Sequence, residues 1–398
     1  MSGLVEAAVG IAGKGTKCTV MCKDVPIYEV VLHGDEVSDI TVLKQYTDFI
    51  ITAEHITKTL KNRLSVFNRL GLDDALSSIG ITTKLSLLRL THGVSLFDCL
   101  WLKFEGESIS WGDVNPYTKE QVFDVGWFIE KSNPIYKIVL PNYSTDGTFP
   151  KCWITSGGTH KLVKAGTRGA YNAGLEPFCE ILFTQIADAI CYNNYVRYNL
   201  KIIRYPDAKE YNLPGIIRDN TSITDGRPAT VCDSFTSETR SLVTAKELGL
   251  SSYEECLLFA ERYTNNPKDL ALMLLCDCIG LNEDRHFGNI GFIYNPDTFK
   301  IEAVAPMYDN NLSLLCYWED RTDLEEYLGE QRAKDGRTFR QLASMLLKQY
   351  PDLKRNLTYV LHPIRIELKS DWLCKERLDI LNKVVNDNVI QYLKDSYQ

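Results

Sequence analysis

Apolar runs bounded by turn residues predict strands through the first 235 residues of the chain. The runs stand at 25–32, 136–166, 195–205 and 228–235. The second run contains a Gly turn and a Gly-Gly turn, so it predicts three strands. In the last of these, side chains alternate between two faces, and Lys164 shares a face with Leu162. This part of the chain is therefore expected to be rich in sheet.

Helical spacing of apolar residues dominates the later part of the chain. Helices are predicted at 40–50, 56–71, 174–190, 252–263 and 267–281, and near 322–331, 336–349, 351–363 and 372–396. The helix at 267–281 is almost wholly apolar, which indicates that it is buried. A hairpin of two strands, GFIY and KIEAVAP, follows it, with an Asn-Pro-Asp turn at 295–297.

Polar residues cluster at the two ends of this hairpin. The loop before it carries Asp284, Arg285, His286 and Asn289, and Asp309 follows its second strand. Phosphoryl transfer uses such a set, with one acid facing the nucleophile and an Asn and an Asp holding magnesium. The interval from Asp284 to Asn289 equals that of the kinase catalytic loop H-R-D-x-x-x-x-N. The alternative is a polar loop that merely leads into a hairpin.

A second candidate pair joins a strand to the helix after it. Lys164 lies in an apolar strand, where its charge requires a partner. The amphipathic helix at 174–190 offers Glu176 and Glu180, one turn apart. Kinases use a strand Lys and a helix Glu to position the α- and β-phosphates of ATP. A surface Lys with a surface Glu is the open alternative.

Composition and charge limit the possible functions. The chain has 398 residues, enough for two or three domains, and a net charge of −8, which argues against nucleic acid as a direct partner. Its twelve cysteines lack zinc-like spacing and indicate free thiols in a reducing cytoplasm. The N-terminus is a poor signal peptide, and no apolar run is long enough for a membrane span.

Residues from about 130 to 398 resemble the HipA-like kinases, the bacterial serine/threonine kinases found as toxins in persistence modules. The resemblance rests on two motifs, the catalytic loop D-x-H-x-x-N and the second metal site P-x-Y-D. The matching residues are Asp284, His286 and Asn289 for the first and Pro306, Tyr308 and Asp309 for the second.

The same resemblance extends to the residues that would bind ATP. The phosphate loop of the family has a Gly followed four residues later by Lys, matched by Gly147 and Lys151. Ser144 stands where the family can carry a serine that phosphorylates itself. Lys164 matches the strand Lys, and Glu176 matches the helix Glu best, with Glu180 as the alternative.

The resemblance implies an α+β, two-lobed protein-kinase-like fold of HipA type. It has an N-terminal accessory α/β domain at 1–130, a strand-rich N-lobe at 131–236 and a helical C-lobe at 237–398. The implied catalytic residues are Lys164, Glu176, Asp284, Asn289 and Asp309. Asn289 and Asp309 are also implied to hold Mg²⁺. The residues implied to bind ATP are Ser144, Gly147, Lys151, Lys164, Cys232, Ser234, Phe235 and His286, with adenine near the connector at 232–235.

The implied activity is ATP- and magnesium-dependent phosphoryl transfer to a serine or threonine hydroxyl of a protein, with autophosphorylation at Ser144. An antitoxin-like partner and a cytoplasmic location follow from the same resemblance. The chain departs from HipA at Arg285, where HipA has a small residue. Because D-R-H-x-x-N is also similar to the catalytic loop of phosphoinositide kinases, a lipid hydroxyl is an alternative acceptor. A nucleotide-binding pseudokinase or scaffold is a further alternative.

Overall fold

The computed structural model describes residues 15–34, 36–44, 52–63, 81–121, 149–166, 174–203, 227–318, 323–358, 363–368 and 373–397. The chain divides into two compact units. The first comprises Met1–Leu162, Ser234–Val243 and Ile293–Ile301, and the second Val163–Asp233, Thr244–Phe292 and Glu302–Gln398. The three-domain division expected from the sequence stays a prediction.

An antiparallel sheet forms the base of the first unit. Its strands are β1 (Thr16–Cys22), β2 (Val25–His33), β3 (Glu36–Val42) and β4 (Leu100–Phe104), in the order β3-β2-β1-β4. Cys18, Val20 and Cys22 of β1 are buried at alternate positions, as the period of a strand requires. The strand predicted at 25–32 is confirmed by β2.

The prediction of a helix at 40–50 is wrong where the structure describes it. Ile40, Thr41 and Val42 belong to β3, where they pair with β2. Three consecutive β-branched residues favour a strand over a helix, because the preceding helical turn restricts their side-chain rotamers. Helices of this unit are α1 (Ala53–Arg63), α2 (Lys84–Thr91) and the single turn α3 (Trp111–Val114). Helix α1 confirms the first half of the helix predicted at 56–71.

Two further sheets accompany the helices that follow. One has the order β5-β6-β8-β7, with β5 at Lys151–Ser156, β6 at Thr159–Ala165, β7 at Asn199–Ile203 and β8 at Arg227–Asp233. The other has the order β11-β10-β9, with β9 at Ser241–Thr244, β10 at Gly291–Tyr294 and β11 at Ile301–Val304. Strands β10 and β11 are the predicted hairpin, and Asn295 Oδ1 accepts a hydrogen bond from the Asp297 N–H in its turn at 2.9 Å.

The second unit is built around one buried helix. Its helices are α4 (Glu176–Ala189), α5 (Tyr253–Tyr263), α6 (Lys268–Gly280), α7 (Leu324–Glu330), α8 (Phe339–Gln349), α9 (Leu353–Thr358) and α10 (Lys375–Ser396). Helix α6 is buried from Met273 to Gly280 and packs against α4, α5, α8 and α10. The burial of α6 expected from its apolar sequence is therefore confirmed. The polar loop begins where this buried helix ends.

Two findings concern features of composition. All twelve cysteines are free, and most of them are buried. Within the ranges given above, no helix combines the length and the apolar character needed to cross a membrane.

Candidate active site

The loop that follows α6 is held to the end of that helix. Leu281 has a left-handed backbone, with φ of 52°, which ends the helix. The Asn282 side chain then donates to Asp277 Oδ1 at 2.8 Å and accepts from the Asp284 N–H at 3.1 Å. The position of Asp284 is therefore set by α6.

Arg285 lies fully buried beneath this loop. Its Nε and Nη2 donate to the two carboxylate oxygens of Asp277 at 2.9 and 3.0 Å. Its Nη1 donates to the carbonyl oxygens of Asn289 at 3.0 Å and Tyr308 at 2.7 Å, and Nη2 also donates to Asn310 Oδ1. All five N–H donors of the guanidinium are used by these contacts.

The contacts of Arg285 settle which way its side chain points. Burial lowers the pKa of Arg285, but the paired Asp277 carboxylate raises it by more. The net shift is upward, so the guanidinium stays charged. One guanidinium nitrogen is shared by the carbonyl groups of Asn289 and Tyr308. Arg285 therefore joins the loop to the segment that contains Asp309 and faces the interior.

His286 and Asn289 make hydrogen bonds within the loop. His286 Nδ1 accepts the Gly288 N–H at 3.0 Å, which leaves the proton of the neutral ring on Nε2, 4.0 Å from Asp284 Oδ2. The Asn289 amide donates to the Asp284 carbonyl oxygen at 3.0 Å. Tyr308 donates its hydroxyl to the Gly288 carbonyl oxygen at 2.9 Å. This geometry fits a role for His286 in bracing the loop.

Lys164 forms a buried ion-pair cluster. Its Nζ lies 2.9 Å from Glu180 Oε1 and also contacts Asp309 Oδ1. Thr230 donates its hydroxyl to the second oxygen of Glu180 at 2.6 Å. Burial lowers the pKa of Lys164, but the two carboxylates raise it above its ordinary value, so the ammonium stays protonated.

The preference for Glu176 as the partner of Lys164 requires correction. Glu180 makes the contact, one turn further along α4. The carboxylate of Glu176 lies instead beside Gly166, since a Cβ placed there would be 2.8 Å from Glu176 Oε2. Both carboxylates are buried, so burial does not distinguish them. Helix α4 packs against β7 and β8, and the Thr230 hydroxyl of β8 binds the Glu180 carboxylate that pairs with Lys164.

Asp309 is held in an unusual backbone conformation. Its φ is +56°, in the left-handed region that residues other than glycine rarely adopt. Its N–H donates to the Tyr198 hydroxyl at 3.0 Å, and Arg285 binds the residues on both sides of it. Burial raises the pKa of Tyr198 well above its ordinary value, so the hydroxyl stays protonated. Such strain persists because the surroundings determine the backbone, and it is typical of functional sites.

Asn289 and Asp309 suit the magnesium role predicted for them. A carboxylate and an amide oxygen are ligands that Mg²⁺ accepts in proteins. The shared guanidinium nitrogen of Arg285 brings the backbones of the two segments together. Among the described residues, no three or more His, Cys, Asp and Glu side chains form a group that could hold a metal ion.

The remaining predicted ligands of ATP are distributed over several strands. Lys151 is buried on β5, and Cys232 is half-buried on β8. Ser234 and Phe235 follow β8 and are half-buried, and the Ser234 N–H donates to the His160 carbonyl oxygen at 2.8 Å. Two predicted residues, Ser144 and Gly147, lie outside the described residues.

Sequence reasoning missed several residues of this centre. They are Tyr198, Thr230, Asp277, Asn282, Asn310 and Lys334. Asp277 carried a signal, because it is the one acid in the later half of an otherwise apolar helix. Lys334 carried none, since it stands 50 residues from the acid that it contacts.

Comparison with solved structures adds the fold. The chain is similar to HipA of Shewanella oneidensis MR-1, in a structure with HipB and operator DNA, with a TM-score of 0.53 and 14% identity. The likeness covers 95% of this chain and 96% of that one. The chain has the HipA-like kinase fold. The α+β fold expected from the sequence is thereby confirmed, and the HipA-like fold extends beyond the region from 130 onward that carried the sequence resemblance.

A second similar structure is CtkA, a proinflammatory kinase of Helicobacter pylori. The TM-score is 0.44 at 13% identity, and the likeness covers 67% of this chain and 95% of that one. No family model matches the sequence. No curated protein matches it either.

Proposed function

We propose that this chain is an ATP- and magnesium-dependent kinase that transfers a phosphoryl group to a serine or threonine hydroxyl of a protein. One observation carries the proposal. The ion-pair cluster of Lys164, Glu180 and Asp309 and the loop from Asp284 to Asn289 belong to one compact unit, and Arg285 joins their segments. The HipA-like fold supports it.

Each residue of the cluster has a distinct part in this proposal. Lys164, oriented by Glu180, contacts the α- and β-phosphates of ATP. Asn289 and Asp309 would hold Mg²⁺, which when bound neutralises charge on the transferred group. Because Lys164 and Asp309 contact each other, the groups that receive phosphate and metal are adjacent.

Asp284 orients the attacking hydroxyl and accepts its proton. Its side chain is 24% exposed, so an acceptor can reach it, while its backbone is fixed by Asn282 and Asn289. The acceptor oxygen bonds to the γ-phosphorus, and the bond to the bridging oxygen breaks, so ADP leaves with the electron pair.

The buried position of Arg285 bears on the identity of the acceptor. The lipid alternative came from the likeness of D-R-H-x-x-N to phosphoinositide kinases. With every donor of Arg285 used inside the protein, that residue contributes no contact to a lipid headgroup. The proposal therefore keeps a protein hydroxyl, and vesicles containing phosphatidylinositol are the comparison substrate.

The test is transfer of labelled phosphate from ATP with magnesium by the wild type and by Asp309→Asn. We expect the variant to be slower by about 10²-fold or more, because it loses a negative charge that would hold Mg²⁺, the ion that neutralises charge on the transferred group. Asp352→Asn is the matched control, since Asp352 forms an exposed ion pair with Lys268. Equal transfer by the wild type and Asp309→Asn contradicts the proposal. Tight ATP binding without transfer to any acceptor supports the pseudokinase alternative.

The proposal includes autophosphorylation at Ser144. A phosphate there adds roughly two negative charges where the phosphates of ATP should lie, which would silence the enzyme. Mass spectrometry of the wild type after incubation with ATP checks this, with Ser144→Ala as the control. A peptide containing Ser144 that stays unmodified while the enzyme is active contradicts it.

A partner is proposed from the same likeness. The HipA structure contains HipB and operator DNA. We propose that this chain binds an antitoxin-like protein, and that any contact with DNA is made by that partner, because this chain carries a net charge of −8.

A further inference from the structure

A residue from a distant segment reaches the predicted catalytic acid. Lys334 lies between α7 and α8, and its Nζ is 3.0 Å from Asp284 Oδ1. The Lys334 side chain remains 48% exposed in this contact. The ammonium carries three donors, and the contact with Oδ1 uses one.

A closed turn presents Lys334. The Ala333 N–H donates to the Arg337 carbonyl oxygen at 2.9 Å, and the Gly336 N–H donates to the Ala333 carbonyl oxygen at 2.9 Å. Gly336 has φ of +87°, a conformation that requires glycine. Ala333 is buried, which fixes the residue before the lysine.

Arg337 attaches this turn to α5. Its Nη1 and Nη2 donate to the two carboxylate oxygens of Glu254 at 2.7 and 3.1 Å, and its Nε donates to Asp335 at 2.7 Å. The next residue back, Tyr253, donates its hydroxyl to the Arg285 carbonyl oxygen at 3.0 Å. The turn and the catalytic loop are thus both fixed to the first turn of α5.

The stability of the fold does not account for this arrangement. An ion pair between partly exposed groups contributes little, because water screens it. Lys268 and Asp352 form such a pair at 2.8 Å, with side chains 60% and 66% exposed. The ion pair of Lys334 differs from the pair of Lys268 and Asp352 in its partner. That partner is Asp284, the acid that faces the acceptor in the proposed function.

We infer that Lys334 is a positioning residue for phosphoryl transfer, which fixes the Asp284 carboxylate toward the acceptor. Its charge holds Oδ1, so that Oδ2, on the side of His286, accepts the proton of the attacking hydroxyl. This inference rests on the proposed kinase function. It predicts a change in turnover rather than in ATP binding, because Lys334 acts through Asp284.

Three variants of the full-length chain test the inference. Lys334→Met removes the charge and keeps the length of the side chain, and Lys334→Arg keeps the charge. Lys268→Met is the control, because it removes the lysine charge from the exposed pair with Asp352. ADP release from ATP with magnesium gives kcat and KM, and thermal melting gives stability. We expect Lys334→Met to lower kcat about 10- to 100-fold with KM for ATP unchanged. Lys334→Arg and Lys268→Met should stay near the wild type.

The outcomes separate this inference from the proposed function. ADP release by Lys334→Met equal to that of Lys268→Met overturns the inference and leaves the kinase proposal in place. Failure of the wild type to release ADP overturns both. A loss of kcat in Lys334→Met that comes with a much lower melting temperature, or that Lys334→Arg does not rescue, also overturns the positioning role.

Discussion

At the scale of single residues, Arg285 connects the segments that form the candidate site. It binds a carboxylate in α6, the backbone of the loop from Asp284 to Asn289 and both neighbours of Asp309. A buried arginine of this kind supplies geometry that lysine cannot, because its planar donors serve several acceptors at once. The candidate site therefore depends on a residue that does not face the substrate.

Arg285→Lys should consequently be costly. We expect a loss of about 2–4 kcal/mol in unfolding free energy, because lysine cannot bind both carboxylate oxygens of the buried Asp277 as the guanidinium does. Arg340→Lys is the control, since Arg340 also binds a carboxylate, that of Asp395, through two nitrogens but is 61% exposed. It should lose less than about 1 kcal/mol. Urea unfolding measures both, and similar losses would show that Arg285 is not a special contact.

Among the elements, α4 and α6 determine where the charged residues stand. Helix α4 carries Glu180, and α6 ends at the loop that contains Asp284. They approach closely at Gly280, where a Cβ would lie 2.4 Å from Phe183 Cε2 and 2.9 Å from Ile186 Cδ1. A glycine at this contact lets the two helices pack at the distance that the cluster needs.

Gly280→Ala should therefore destabilise the protein although alanine favours helices. We expect a loss of about 1–3 kcal/mol from overpacking, together with slower phosphoryl transfer. Gly329→Ala, in α7, is the matched control, because no atom lies within 4 Å of its Cβ position. That change should be neutral or stabilise by up to about 1 kcal/mol. Urea unfolding distinguishes them, and a gain in stability at both positions would refute the packing argument.

For the molecule as a whole, the HipA-like fold covers almost the entire chain. The charged centre nevertheless belongs to the second unit, as do the turn of Lys334 and the first turn of α5 that holds it. The first unit contributes a separate antiparallel sheet with its own helices.

The partner proposal predicts a stable complex with a small DNA-binding protein encoded beside this chain. Co-expression followed by size-exclusion chromatography should give co-elution, and the complex should bind duplex DNA that the isolated chain does not retain. A variant of the second unit, Asp309→Asn, should form the same complex. Separate elution of the two proteins would contradict the proposal.

The sequence alone determined much of the order of the elements and supplied the candidate residues of the site. Helix α6, the hairpin and the positions of Lys164, Asp284, Asn289 and Asp309 follow from periodicity and spacing, which are local properties. Tertiary structure decided which residues meet. Glu180 rather than Glu176 pairs with Lys164, since the packing direction of α4 selects between carboxylates one turn apart.

The same holds for Arg285 and Lys334. Spacing places Arg285 beside Asp284, but only the burial of Asp277 turns its side chain inward. Lys334 reaches Asp284 because a turn fixed by Arg337 lies against the loop in space. The strand at β3 follows the same rule, because pairing with β2 outweighs a helical pattern. Contacts between distant segments depend on the packing of whole elements, which no local pattern encodes.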